Sequence, residues 1–191
     1  MKKVLTYHIS FMYIFSGLNF PAAFLTLKKM QFCAKLRRKT VTCAKDFQGD
    51  KGMTQKEIFD FINSQKTAFI GSVDEDGFPN VKAMLRPRKI DGLRQFYFST
   101  NTSSMRVKQY TDNPKAYVYF CHKGLIKYTG VMLKGKIEVL TDQETKDMIW
   151  RKGDTLFYKG GVTDPDYCVL KFTSESGRYY CDLKTEDFTI E

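Results

Sequence analysis

The apolar positions of residues 53–191 follow two periods, and the helical one is confined to short segments. Thr54 and Glu57 have the spacing of a capping box, which is typical of a helix N-terminus. The apolar residues that follow share one helical face: Ile58, Phe59, Phe61 and Ile62. The same reasoning predicts two more helices, over 103–110 and over 143–151. Helices therefore account for only a small part of this region.

Most other apolar positions lie in short runs rich in aromatic and β-branched residues. The runs cover 67–73, 80–90, 94–100, 115–122, 128–140, 166–173 and 177–183. Turn sequences at 74–77 and 91–92 allow successive strands to pair antiparallel. Gly130 and Gly135 indicate bends or bulges within one long strand. Numerous strands with few helices predict a mainly β fold, a closed or split β-barrel, because closure leaves no exposed sheet edges.

Residues 1–52 differ from the rest of the chain. Lys2 and Lys3 precede a stretch from Val4 to Leu27 without a charged side chain, as in signal peptides and membrane anchors. Polar residues and a proline interrupt this stretch, and the predicted domain begins directly after Met53. We interpret residues 1–52 as an extension that is disordered or lies upstream of the true translation start. A signal or anchor within residues 1–27, or an additional structural element, is the alternative.

The formal net charge of +10 resides almost entirely in this extension. Residues 1–52 contain ten Lys and Arg against two Asp and Glu, which leaves a net charge of only +2 for residues 53–191. A domain that binds DNA or RNA carries its positive charge as a patch on the folded body. The charge distribution therefore argues against nucleic-acid binding by the domain.

Cysteine and histidine usage excludes several kinds of site. The five cysteines form no C-x-x-C pair, so neither a disulfide framework nor a zinc site is indicated, and a reducing, cytoplasmic location is expected. With two histidines in the chain, no metal site is predicted. Cys121 and His122 are adjacent, and adjacent side chains on a strand point to opposite faces, which argues against a nucleophile–base pair. No catalytic side chain is predicted.

A group of hydroxyl side chains between a strand and a helix indicates a possible anion site. The hydroxyl residues are Ser99, Thr100, Thr102, Ser103 and Ser104. They precede a helix whose first turn contains Arg106, and helix N-termini, hydroxyls and cations are the groups that hold phosphate. Lys82 and Met84 share one face of an earlier strand, and Ala83 and Leu85 share the other. Hydroxyl clusters also cap helices without any ligand, so a purely structural role stays open at this stage.

The order of the blocks VDEDGFPNVKAML, FYFSTNTSSMRVKQY, GVMLKGKIEVL and DPDYCVLKF resembles the pyridoxamine 5′-phosphate oxidase-like family, in its general-stress-protein branch. The resemblance covers nearly all of residues 53–191 and none of residues 1–52. It implies a six-stranded antiparallel split β-barrel that forms a homodimer, with FMN bound in clefts between the subunits. It also implies that Lys82 contacts the flavin phosphate. The other residues assigned to the cofactor by the resemblance are Ala83, Met84, Leu85, Ser99, Thr100, Ser104, Met105 and Arg106.

Two departures from the family pattern bear on the cofactor. Met105 stands where the family usually has a basic residue, and Ser99 stands where it usually has an aromatic one. These differences predict weaker phosphate binding and keep a deazaflavin or haem as alternative cofactors. The C-terminal Trp and Arg of the true oxidase have no match here, so vitamin B6 synthesis is not predicted.

The predicted function is an FMN-dependent oxidoreductase that acts on a small molecule, for example a nitro compound or a quinone. The alternative is a flavin-binding sensor or storage module without turnover, or a membrane-tethered barrel if residues 1–27 are a real anchor. Tyr128, Trp150 and Tyr158 either line the cleft or pack the barrel and the dimer interface.

Overall fold

The computed structural model describes residues 53–124, 128–181 and 183–190. The predictions for residues 1–52 lie outside this part of the chain. The helices of the described part are α1 (Gln55–Ser64), α2 (Met105–Asp112) and α3 (Gln143–Ile149), with 3-10 turns at Lys152–Leu156 and Gly161–Thr163. The strands are β1 (Thr67–Val73), β2 (Pro79–Leu85), β3 (Lys89–Asp91), β4 (Gln95–Asn101), β5 (Lys115–Lys123), β6 (Tyr128–Leu140), β7 (Tyr167–Cys181) and β8 (Lys184–Thr189). None of the described helices is both long and apolar enough to cross a bilayer.

All strand pairs are antiparallel and belong to one sheet, in the order β2-β1-β5-β6-β7-β4-β3, with β8 paired to β7. Strands β2 and β3 stand at opposite ends of this order, yet only residues 86–88 connect them. An extended chain covers about 3.3–3.6 Å per residue, so the sheet must curl until its two ends approach each other. The prediction of a mainly β split-barrel fold is confirmed, although the described residues form eight strands rather than six.

The interior of the barrel is built from the alternation that the sequence predicted. Every second residue of β1 and β4 is buried, and the ring of Phe96 lies 6.0 Å from that of Phe120 and 6.1 Å from that of Phe172. Helix α1 packs against this core. Its capping box is confirmed, because the Thr54 backbone N–H donates to Glu57 Oε2 at 2.9 Å and the Glu57 N–H donates to Thr54 Oγ1 at 3.3 Å.

The prediction of two separate strands over 166–173 and 177–183 is wrong. They form the single strand β7, whose first half pairs with β4 and whose second half pairs with β8. The polar stretch between them resembles a turn, but β6 pairs with residues on both sides of Glu175 and holds the strand together. Lys134 pairs with Ser176 and Gly135 with Ser174, so the residue between them, Glu175, forms a β-bulge. Strand β8 has a charged sequence and was not predicted.

The predicted extended segment over 80–90 is interrupted at Pro87. Proline has no backbone N–H and cannot donate to a strand ladder. On one side of it, the Arg86 N–H donates to the Lys66 carbonyl at 3.0 Å, and on the other, the Arg88 N–H donates to the Tyr97 carbonyl at 2.7 Å. The chain therefore crosses at Pro87 from the end of the sheet formed by β1 and β2 to the end formed by β3 and β4, and this corner closes the barrel.

The bulge between β6 and β7 makes Gly135 a sensitive position. A Cβ atom at Gly135 would overlap the Thr173 carbonyl oxygen and lie 2.8 Å from Ser174 Cα, and both are backbone atoms that cannot rotate away. We expect Gly135→Ala to lower the free energy of unfolding by about 1–3 kcal/mol, the usual cost of overpacking. Urea denaturation measures this change.

Gly153→Ala is the matched control, because no atom lies within 4 Å of a Cβ at Gly153 and its φ is not positive. The control should leave the unfolding free energy within about 0.5 kcal/mol of wild type. Equal losses in the two variants would contradict the bulge geometry.

Candidate functional site

A cleft of about 320 Å³ lies between β2, an edge strand of the sheet, and the end of β4. Helix α2 contributes Arg106 to its wall, and the 3-10 turn after α3 contributes a further side. Seven of the nine residues predicted from the sequence line this cleft: Lys82, Ala83, Met84, Leu85, Ser99, Thr100 and Arg106. The fold thus brings together two segments that lie well apart in the chain.

The other two predicted residues flank the cleft without lining it. Ser104 is the N-cap of α2, and its Oγ accepts a hydrogen bond from Arg106 Nη2 at 3.2 Å. Met105 is 68% exposed and does not line the cleft. The turn before α2 is held by Asp166, whose carboxylate accepts hydrogen bonds from the Ser103 N–H and the Asn101 amide, both at 2.7 Å. These hydrogen bonds lower the pKa of Asp166.

Arg106 is the most unusual residue of the cleft. It is 8% exposed, its Nε atom is buried without a hydrogen-bond partner, and it forms no ion pair with any described carboxylate. Burial lowers the pKa of its guanidinium. Buried polar groups are nearly always paired, and a buried unpaired charge is costly. An anion bound in the cleft would supply the missing partner.

A buried ion pair in the cleft was not predicted. Arg88 Nη2 lies 2.6 Å from Asp154 Oδ1, and the two side chains are only 14% and 4% exposed. Arg88 Nε also donates to Ser99 Oγ at 3.3 Å, and Asp154 Oδ2 accepts from the Arg151 N–H at 3.0 Å. This pair fixes the 3-10 turn at Lys152–Leu156 against β4. The partners are distant in sequence, and no local pattern could have indicated them.

The cleft has an excess of positive charge. Of the charged side chains described there, four are basic and one is acidic: Lys82, Arg86, Arg88, Arg106 and Asp154. Because Asp154 neutralises Arg88, the excess positive charge comes from Lys82, Arg106 and Arg86, whose Nη2 donates to Asn63 Oδ1 at 3.4 Å. Arg86 was not predicted, and it provides a positive charge that Met105 does not. No group of three His, Cys, Asp or Glu side chains within the described residues could hold a metal ion.

The three aromatic residues considered for the cleft have different positions. Tyr158 lines the cleft and donates a hydrogen bond to Asn101 Oδ1 at 3.4 Å, and burial raises its pKa to about 12. Trp150 packs against Tyr158 and Tyr167, with ring centroids 6.1 and 5.1 Å away. Tyr128 does not line the cleft and instead lines a separate groove. Of these three residues, only Tyr158 lines the cleft.

A larger groove of about 950 Å³ lies on the outer face of β1, β2, β5 and β6. Its walls are mainly apolar, and they include the exposed Val81 and the partly exposed Tyr117. The hydroxyls of Tyr119 and Tyr128 lie 3.0 Å apart in this groove. Strand β2 thus separates the groove from the cleft, because Val81 lines the groove and the next residue, Lys82, lines the cleft.

The sequence and the fold are similar to those of known proteins. The family model described as pyridoxamine 5′-phosphate oxidase matches residues 54–181. A solved structure from Clostridium acetobutylicum, a protein related to general stress protein 26, is 40% identical with a TM-score of 0.64, over 72% of this chain and 97% of that chain. A putative general stress protein 26 from Jannaschia sp. CCS1 is 27% identical with a TM-score of 0.52, over 64% and 74% of the two chains.

A curated relative, the pyridoxine/pyridoxamine 5′-phosphate oxidase of Agrobacterium fabrum, is 34% identical over 83 residues, which are 44% of this chain and 38% of that protein. The chain thus spans well under half the length of the curated relatives that it matches. The family match nevertheless covers most of the described domain, and the Clostridium structure is covered almost completely. The chain therefore belongs to the pyridoxamine 5′-phosphate oxidase-like family.

Proposed function

We propose that this protein binds FMN in the cleft between β2 and β4 and acts as an FMN-dependent oxidoreductase on a small molecule. The observation that carries the proposal is the buried guanidinium of Arg106, which lacks an anionic partner among the described residues and lines a cleft rich in positive charge. The family to which the chain belongs commonly binds flavin. FMN combines the two features that the cleft would accommodate, a phosphate and a flat ring system.

The residues around Arg106 fit a phosphate. Lys82 on β2 lines the same cleft as Arg106, and Ser99 and Thr100 line it from β4. Ser99 Oγ already accepts a hydrogen bond from Arg88, so its proton is free to be donated to an anion. Charge-assisted hydrogen bonds from such groups are the strong ones in phosphate recognition.

The wall formed by β2 fits the ring. Its outer edge has no neighbouring strand among the described residues, so backbone N–H and C=O groups along Ala83, Met84 and Leu85 are available to a ligand. Bound FMN would supply the redox chemistry, because flavins exchange electrons and hydride with their substrates. The protein side chains nearby hold their protons or charges: Tyr158 stays protonated at neutral pH, and Asp154 is paired with Arg88.

The test is a visible absorption spectrum of the purified full chain, followed by an FMN titration and by NAD(P)H oxidation with a quinone or a nitro compound as acceptor. We expect a flavin spectrum, or FMN binding at micromolar concentration, and acceptor-dependent turnover. A folded protein that binds no FMN would refute the proposal. A haem or deazaflavin spectrum would replace FMN by that cofactor, and bound FMN without turnover would leave a sensor or storage role.

We also propose that a second copy of the chain covers the outer groove. Monomeric proteins rarely expose large contiguous apolar patches, and this groove is apolar and open. A symmetric dimer buries the same patch on both subunits. Because β2 separates the groove from the cleft, a subunit bound there would lie directly beside the proposed FMN site, in agreement with the dimer that the family resemblance implies.

The dimer predicts a clear effect of a charge placed in the groove. Val81 is 67% exposed in the single chain and lines the groove, so Val81→Lys should convert a dimer into a monomer because a buried lysine without a partner is costly. Light scattering on a sizing column measures the mass. Leu183→Lys is the control, since Leu183 is 88% exposed and lies outside the groove. A monomeric wild type, or a dimeric Val81→Lys, would contradict the proposal.

A further inference from the structure

The cleft contains one exposed aromatic side chain that phosphate binding does not use. Phe157 is 73% exposed and lines the cleft. Its neighbour Leu156 is 82% exposed and does not line it. The two residues therefore share the same segment and a similar exposure, and they differ in whether the side chain reaches the cleft. Substituting each residue in turn therefore distinguishes the effect of an apolar side chain in the cleft from the effect of an exposed apolar side chain outside it.

The backbone that carries Phe157 is fixed on both sides. The Phe157 N–H donates to the Asp154 carbonyl at 2.9 Å, and Asp154 itself is 3% exposed and paired with Arg88. The next residue, Tyr158, is 6% exposed, and its ring centroid lies 4.7 Å from that of Tyr167. An exposed aromatic ring on such a constrained segment is preorganised, so a ligand that contacts it does not have to order a mobile loop.

The size of the cleft limits what Phe157 can contact. Ligand sites usually measure about 300–1,000 Å³, and this cleft, at about 320 Å³, has room for one molecule of that class. The cations of the cleft would bind the anionic part of such a molecule, and Phe157 would offer an apolar surface to its uncharged part. Aromatic rings prefer to pack against other rings in offset or edge-to-face geometry.

We infer that Phe157 packs against the isoalloxazine ring of the bound flavin and contributes to its affinity independently of the phosphate. This inference rests on the proposed FMN site. Phe157 lies outside the two sequence blocks from which the cofactor contacts were predicted. The buried ion pair of Arg88 and Asp154 holds the adjacent turn in place and thereby positions Phe157.

Affinities for FMN and riboflavin, measured in parallel on full-length variants, test the inference. Riboflavin has the same ring system and lacks the phosphate. We expect Phe157→Ala to weaken the binding of both ligands by a similar factor, on the order of 10-fold. Arg106→Met should weaken FMN binding alone. Leu156→Ala, the matched control, should change neither affinity.

A second readout reports proximity. An indole in contact with a flavin quenches its fluorescence by electron transfer, so Phe157→Trp should reduce the fluorescence of bound FMN below that of wild type, and Leu156→Trp should not. Unchanged affinities in Phe157→Ala, or equal quenching by the two tryptophan variants, would overturn the inference while leaving the FMN site intact. A wild type that binds neither FMN nor riboflavin would overturn the proposed function as well.

Discussion

Replacing Arg106 with methionine is expected to weaken FMN binding by about 1.5–3 kcal/mol, which corresponds to roughly 10- to 150-fold in Kd. The guanidinium is buried at the cleft wall, and its only hydrogen bond among the described residues goes to Ser104 Oγ. A bound phosphate would therefore be its main partner. Isothermal titration of the wild type and the variant with FMN measures the difference.

The same substitution has a second, opposite consequence for the ligand-free protein. Methionine fills a similar space without carrying a buried charge that lacks a partner, so the melting temperature without FMN should be equal to or above that of wild type. Loss of FMN binding together with unchanged stability would indicate that Arg106 serves ligand binding and not the fold. A marked loss of stability would instead indicate that Arg106 supports the fold.

Lys108→Met is the matched control for Arg106. Lys108 lies on the same helix, and its only described ion pair is with Glu75, in which the two side chains are 72% and 77% exposed. The control should bind FMN as the wild type does. A loss of affinity in Lys82→Ala would identify the second phosphate contact on β2. Unchanged affinity in both Arg106→Met and Lys82→Ala would rule out this phosphate site.

Asp154→Ala is expected to lower the free energy of unfolding by about 3–5 kcal/mol, the usual cost of breaking a buried ion pair. The substitution leaves the Arg88 guanidinium, whose side chain is 14% exposed, without its carboxylate. It also removes the acceptor of the Arg151 N–H. Urea denaturation of the ligand-free variant measures the loss. FMN affinity should fall as well, because the turn that carries Phe157 is no longer fixed.

Two further variants distinguish the loss of this buried ion pair from the loss of any other ion pair. Glu75→Ala breaks the exposed pair with Lys108 and should cost less than about 1 kcal/mol, as exposed ion pairs do. The double variant Arg88→Met with Asp154→Leu replaces both charges by apolar groups and should recover much of the lost stability. A loss below about 1 kcal/mol in Asp154→Ala would mean that water reaches the pair.

Local sequence patterns predicted much of the fold. Thr54 and Glu57 predicted the start of α1, and the alternation of apolar residues predicted β1, β4 and β6 to within one residue of the observed bounds. These signals are reliable because the period of a strand or helix is written in consecutive residues. Seven of the nine residues that the family resemblance assigned to the cofactor also line the cleft.

The family, the β class of the fold and the two blocks that meet at the cleft all follow from the order of residues along the chain. The folded structure alone shows that β7 continues through a bulge, because pairing with β6 overrides a local sequence that resembles a turn. It also decided that Arg88 is neutralised by Asp154 and that Phe157 reaches the cleft. These features depend on contacts between residues far apart in the chain, which leave no periodic trace in the sequence and form only once the barrel closes.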